Sequence, residues 1–149
     1  MDTKTYNMKN IYTLSLIFSF TLFLGCSKDF LKKYERRIVG SWRISDVDNW
    51  GIGGSTSNLT FKDGTLTFNS DGSLVYVSPG NVSYQGRWDI SKKTIDDERI
   101  QTLQVYVTNF TIQQSISEFY DDLKFVSTDH FKARINSSLH TYVTHFRRL

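Results

Sequence analysis

The sequence predicts an all-β protein: a compact antiparallel up-and-down β-barrel of about eight strands, preceded by one short helix. Three observations support this. From Ile38 onward most segments alternate apolar and polar residues with a period of two, as half-buried strands do, not with the 3.6 of helices. Turn-forming clusters recur at short intervals, at Asp63-Gly64, Asn69 to Gly72, Pro79 to Asn81, Ser91 to Thr94, Ser127 to Asp129 and Asn136 to Ser138. The chain has a single cysteine, so no internal disulfide supports it, and a closed barrel removes the exposed sheet edges an exported domain must otherwise protect.

The chain opens with a segment unlike the rest. Lys4 and Lys9 form a positive stretch and Ile11 to Leu24 an apolar one, long enough for a secretion signal and short for a membrane span. An uncleaved anchor or buried helix is the alternative reading, and translation starts at Met1 or at Met8. Residues 1–25 therefore form a signal peptide, 26–37 a tether with a short helix from Lys28 to Arg37, and 38–149 one barrel domain. The whole chain carries a net charge of +3, without a long block of like charges, so a nucleic-acid partner is not expected. Lys32, Lys33, Arg36 and Arg37 form the densest basic cluster, suited to a solvated helix face or to anionic head groups.

Within the barrel domain, Leu59 to Phe61 and Leu66 to Phe68 predict a hairpin about Asp63-Gly64. In Val82 to Ile90, residues Val82, Tyr84, Gly86, Trp88 and Ile90 share one face, and Ser83, Gln85, Arg87 and Asp89 the other. Further apolar faces are Leu103, Val105 and Val107, then Phe119, Leu123 and Phe125 interrupted by Asp121, then Phe131, Ala133 and Ile135, then Tyr142 and Phe146. Residues 94–99 fit a turn of helix between strands. The bulky inward set of Phe61, Phe68, Tyr84, Trp88, Phe125, Phe131 and Phe146 predicts an interior filled by side chains, as eight strands permit.

Two resemblances add to this. Leu22-Phe-Leu-Gly-Cys26 resembles the lipobox of bacterial lipoproteins, which implies cleavage before Cys26 and acylation of its sulfur and amino group. Ser27-Lys-Asp29 is similar to the start of a surface export signal of Bacteroidetes lipoproteins, leaving the cell surface and the periplasmic face of the outer membrane both open. Arg37 to Ile44, with Gly40 and Trp42, resembles the Gly-x-Trp opening of lipocalins and of lipocalin-like lipoproteins of Bacteroidetes, and Gly86-Arg-Trp88 repeats the motif. The resemblance implies that Trp42 plugs the closed end beneath a C-terminal arginine, Arg147 or Arg148, with Arg147 as the motif residue.

Few residues suggest chemistry. Of His130, His140 and His145, the last two fall on opposite faces if they share a strand, so no metal site is expected. Residues 96–98 carry carboxylates that fit a solvated turn, and Asp121 and Asp122, adjacent on a strand, point apart. Residues 51–54 lack the lysine and spacing of a phosphate loop. No catalytic residue and no cofactor is expected. The expected function is a lipid-anchored, non-enzymatic binding module with possible ligand contacts at Trp50, Tyr84, Trp88 and Phe125, Trp50 lying beside a glycine-rich loop as a lid. The alternative is an inhibitor or partner-binding module acting through its loops. Expected partners are the membrane, through the anchor, and a small apolar ligand or an envelope protein. The chain is expected to be a monomer.

Overall fold

The computed structural model describes residues 34–51, 56, 59–95, 97–137 and 139–149. The signal segment, Cys26 and Lys28 to Lys33 lie outside the described residues. A short helix α1 (Tyr34–Ile38) leads into β1 (Gly40–Gly51), β2 (Thr65–Phe68), β3 (Ser73–Val77), β4 (Ser83–Ile95), β5 (Glu98–Asn109), β6 (Gln114–Phe125), β7 (His130–Asn136) and β8 (His140–Arg148). Each strand pairs antiparallel with the next, and β8 returns to β1, closing the barrel. The expected architecture is thus the observed one.

Alternation explains most of the core. Leu103, Val105, Val107, Phe131, Ala133 and Phe146 are buried on the faces their spacing predicts. Phe131 stacks on Phe146 with centroids 4.3 Å apart, and Trp42 meets Phe131 edge-on at 4.7 Å. Fully burying a side chain of this size contributes roughly 1.5–3 kcal/mol.

Four local expectations are corrected, each by a tertiary contact. Leu59 to Phe61 forms no strand: the N–H of Lys62 bonds the carbonyl of Leu59 and that of Gly64 the carbonyl of Phe61, each at 3.4 Å. Phe61 is apolar because it packs edge-on against Tyr76 at 4.8 Å, and Gly64 is glycine because a Cβ would stand 2.1 Å from the Tyr76 ring. Ser91 to Thr94 is not a turn, since β4 continues to Ile95 in register with β5, ending at Ile95↔Glu98. The same tight hairpin replaces the helical turn expected over residues 94–99. The fourth correction is the phase of β6. Phe119 faces outward and Tyr120 is fully buried, because a bulge between Asp121 and Lys124, with Asp122 at φ 50°, shifts the alternation before Leu123.

The turns at Asn69 to Gly72, Pro79 to Asn81, Ser127 to Asp129 and Asn136 onward fall where the sequence places them. In the first, Asp71 accepts from the backbone N–H of Ser73 at 2.9 Å and from its hydroxyl at 2.7 Å.

Candidate functional site

The closed end is organised by Trp42. Its indole Nε1 donates to the carbonyl of Ile38 at 2.6 Å, joining the plug to the end of α1. The cation over the ring is Arg148, with its guanidinium carbon 4.3 Å from the centroid. Arg147 is therefore corrected as the motif residue: it stands one position earlier on β8, where alternation turns it outward. Arg148 also donates to the carbonyls of Val39 and Arg37, both at 2.7 Å, and to that of Thr128 at 3.2 Å. A Cβ on Gly40 would stand 2.3 Å from Nη1 of Arg148, so the motif glycine leaves room for the arginine.

The four residues expected to contact a ligand lie at separate places in the barrel. Trp88 packs against Phe68 at 5.8 Å and donates its indole N–H to Asn69 at 3.1 Å. Tyr84 is buried, its hydroxyl donating to Gln114 at 2.6 Å. Phe125 lies at the closed end, between Tyr34 at 5.5 Å and Trp42 at 6.3 Å, with Arg37 4.2 Å above its ring. Trp50 is exposed near the far end of β1. Inside the barrel, the hydroxyl of Tyr120 is enclosed without a hydrogen-bond partner, and burial, with the nearby Glu118 carboxylate adding, pushes its pKa well up.

Two polar arrangements on the wall were not legible in the sequence. The β6 bulge brings the Asp121 and Asp122 carboxylates to one cleft of about 330 Å³, where alternation alone would part them. Asp122 is 9% exposed and ion-pairs with Lys124 at 2.8 Å and with Arg134, while Asp121 accepts from Asn136 at 3.0 Å. Burial alone would raise the Asp122 pKa, but the two cations outweigh it and hold the carboxyl below its usual range. The second arrangement joins three strands. Asp48 lies 3.0 Å from Nε2 of His145, whose Nδ1 lies 3.1 Å from Nε2 of His130. The carboxylate accepts, so Nε2 of neutral His145 carries the proton and His130 donates to Nδ1. Among the described residues no three His, Cys, Asp or Glu side chains form a metal-holding group.

The mouth opposite α1 is where the connections after β1, β3, β5 and β7 lie. Four large apolar side chains are exposed there: Phe110 by 83%, Leu139 by 76%, Trp50 by 68% and Ile112 by 54%. Trp50 and Leu139 belong to the β1–β8 side, where Trp50 pairs with Thr141 and Gly51 with His140. Phe110 and Ile112 sit on the β5–β6 turn, four strands from Trp50 on β1 and two from the β7–β8 turn that carries Leu139. Residues 49–61, 73–86, 100–117 and 135–146 contain no Asp, Glu, Lys or Arg. Trp50, Phe110, Ile112 and Leu139 lie on separated stretches of the chain, and only barrel closure brings them to one end.

Comparison of the chain with protein-family models, with curated proteins and with solved structures finds no match. Among the described residues no helix is long and apolar enough to cross a membrane.

Proposed function

We propose that this chain is a lipid-anchored, non-enzymatic binding module of a bacterial outer membrane that acts through its barrel mouth. The lipobox resemblance at Cys26 supports the anchor. Of the two expected modes, an interior apolar ligand and a partner met by the loops, the second is favoured. The observation that carries it is the distribution of apolar side chains. The bulky inward residues pack on one another, whereas Trp50 at the end of β1 and Phe110, Ile112 and Leu139 in the connections stand in solvent. Depletion of charge around exposed aromatic residues is the composition of an interface centre, not of ordinary protein surface.

Native mass spectrometry of the full chain, extracted gently from its own envelope, tests this reading. The expected result is a protein-sized partner and no retained small apolar molecule. A retained small apolar mass, unaffected by substitutions at the mouth, would return the function to the interior. Replacing Cys26 by Ser should move the chain out of the membrane fraction, and its persistence there would remove the anchor.

A further inference from the structure

We infer that His130 and His145 form a two-histidine site for a divalent transition-metal ion, copper(II) ahead of zinc(II), with Asp48 as the carboxylate that orients one of the rings. The site lies on the outer wall of the barrel and does not depend on the function proposed for the mouth. It departs from the expectation that the chain holds no metal. That expectation set His140 against His145, whereas the β7–β8 register supplies His130. Lys132 pairs with His145 and His130 with Arg147, so His130 and His145 are diagonal neighbours, each on the face opposite the buried Phe131 and Phe146.

Three observations carry the assignment. The first is a distance: Nε2 of His130 and Nδ1 of His145 are 3.1 Å apart. Two metal–nitrogen bonds of about 2.0–2.1 Å bridge that gap when they meet at about 95–100°, between the right angle of square-planar copper(II) and the tetrahedral angle of zinc. The rings need only turn until both lone pairs converge beside the line joining the nitrogens. The second is the carboxylate of Asp48, 3.0 Å from the other nitrogen of His145, Nε2. A carboxylate on that N–H fixes the tautomer in which Nδ1 is free to bind metal, and it is the outer-shell partner that metal-ligating histidines commonly have.

The third is the charge state of His130. Burial, then Arg147 and His145, hold it below its ordinary pKa of 6.5, so the ring is neutral at neutral pH and protons compete little with a metal. To ligate, it carries its proton on Nδ1 instead of Nε2, a change of tautomer that leaves the ring uncharged. Arg147 and Lys132 oppose a dication there, and Asp48 and Asp129 offset them. His145 keeps 23% of its side chain exposed, which leaves an approach from solvent, and water would complete the coordination. Copper(II) stands ahead of zinc because imidazole ligands follow the general order of divalent affinities.

The test uses the full chain in detergent at neutral pH. One equivalent of copper(II) should give an electron paramagnetic resonance spectrum split by two imidazole nitrogens, and zinc(II) should raise the melting temperature. His130→Gln and His145→Gln should each abolish both effects while leaving the far-ultraviolet circular dichroism unchanged, and His140→Gln should abolish neither. Asp48→Asn, at an exposed position that does not touch the metal, should weaken copper binding by about tenfold, as loss of an outer-shell carboxylate does. A hydrogen-bonded histidine pair without a metal role would show none of this. The absence of both effects, or effects that survive His130→Gln or His145→Gln, would overturn the site, and unchanged copper affinity in Asp48→Asn would overturn the role of Asp48. None of these results bears on the partner sought at the mouth.

Discussion

Arg148 stacks its guanidinium 4.3 Å above the indole of Trp42 while donating to the carbonyls of Arg37 and Val39. One side chain thus covers the plug, satisfies carbonyls at the end of α1 and joins the last strand to the first. Loss of the cation–π contact and stranding of the carbonyls should make Arg148→Ala cost about 2–4 kcal/mol. Arg147→Ala should stay within about 0.5 kcal/mol, as outward-facing substitutions do. Urea unfolding of the two variants checks this, and a larger loss at Arg147 would contradict the assignment.

Gly86 and Gly80 should respond oppositely to alanine. A Cβ on Gly86 would stand 1.9 Å from the Tyr106 carbonyl oxygen and 2.7 Å from the Val107 Cα, both backbone atoms of the neighbouring strand. No side-chain rotation relieves that, so Gly86→Ala should cost about 2 kcal/mol or more. Nothing lies within 4 Å of a Cβ on Gly80, and Gly80→Ala should be nearly neutral. Thermal melts of both variants decide, and equal melting temperatures would refute the close approach of β4 and β5.

The Tyr120 hydroxyl is enclosed with no partner, and an unpaired buried hydroxyl costs free energy. Tyr120→Phe keeps the ring against Phe146 and removes the oxygen, so it should stabilise the protein by about 1 kcal/mol. A loss of stability would mean that the hydroxyl is bonded in solution.

His130 is held below its ordinary pKa of 6.5, first by burial and then by Arg147 and His145, with Lys132 adding and Asp129 opposing. The unfolded chain therefore takes up this proton more readily than the folded one. The stability from neutral His130 is present above pH 6.5 and is lost as pH falls from there toward the lower folded value. Proton NMR should show the His130 midpoint below 6.5, and His130→Gln should flatten the stability curve in that window. A midpoint above 6.5 would reverse the sign.

Asp122 titrates at more acid pH. Its folded pKa lies below 3.8, so the stability it confers is present above that value and is lost as pH falls through the folded pKa. Asp122→Asn should lower stability at neutral pH and make the acid limb of the unfolding curve shallower. An unchanged acid limb would show that Lys124 and Arg134 do not hold the carboxylate in solution.

What the sequence determined by itself is the class of structure. Alternation over Val82 to Ile90, Leu103 to Val107 and Phe131 to Ile135 is a local property, and each of these strands has its apolar face inward. The turns at Asn69 to Gly72 and Pro79 to Asn81 were legible because their residue types are the ones positive φ angles and tight reversals require. What only the tertiary structure decided depends on contacts between residues distant in the chain. Strand alternation could not select Arg148, whose partners Val39 and Arg37 lie more than a hundred residues earlier. The β6 bulge at Asp122 resets which residues face inward, so Phe119 and Tyr120 exchange roles and two adjacent carboxylates share a cleft. His130 and His145 meet because β7 and β8 pair in one particular register, which single-residue slippage would destroy. The mouth follows the same logic: Trp50, Phe110, Ile112 and Leu139 mean little one by one, and come to one end only when eight strands close.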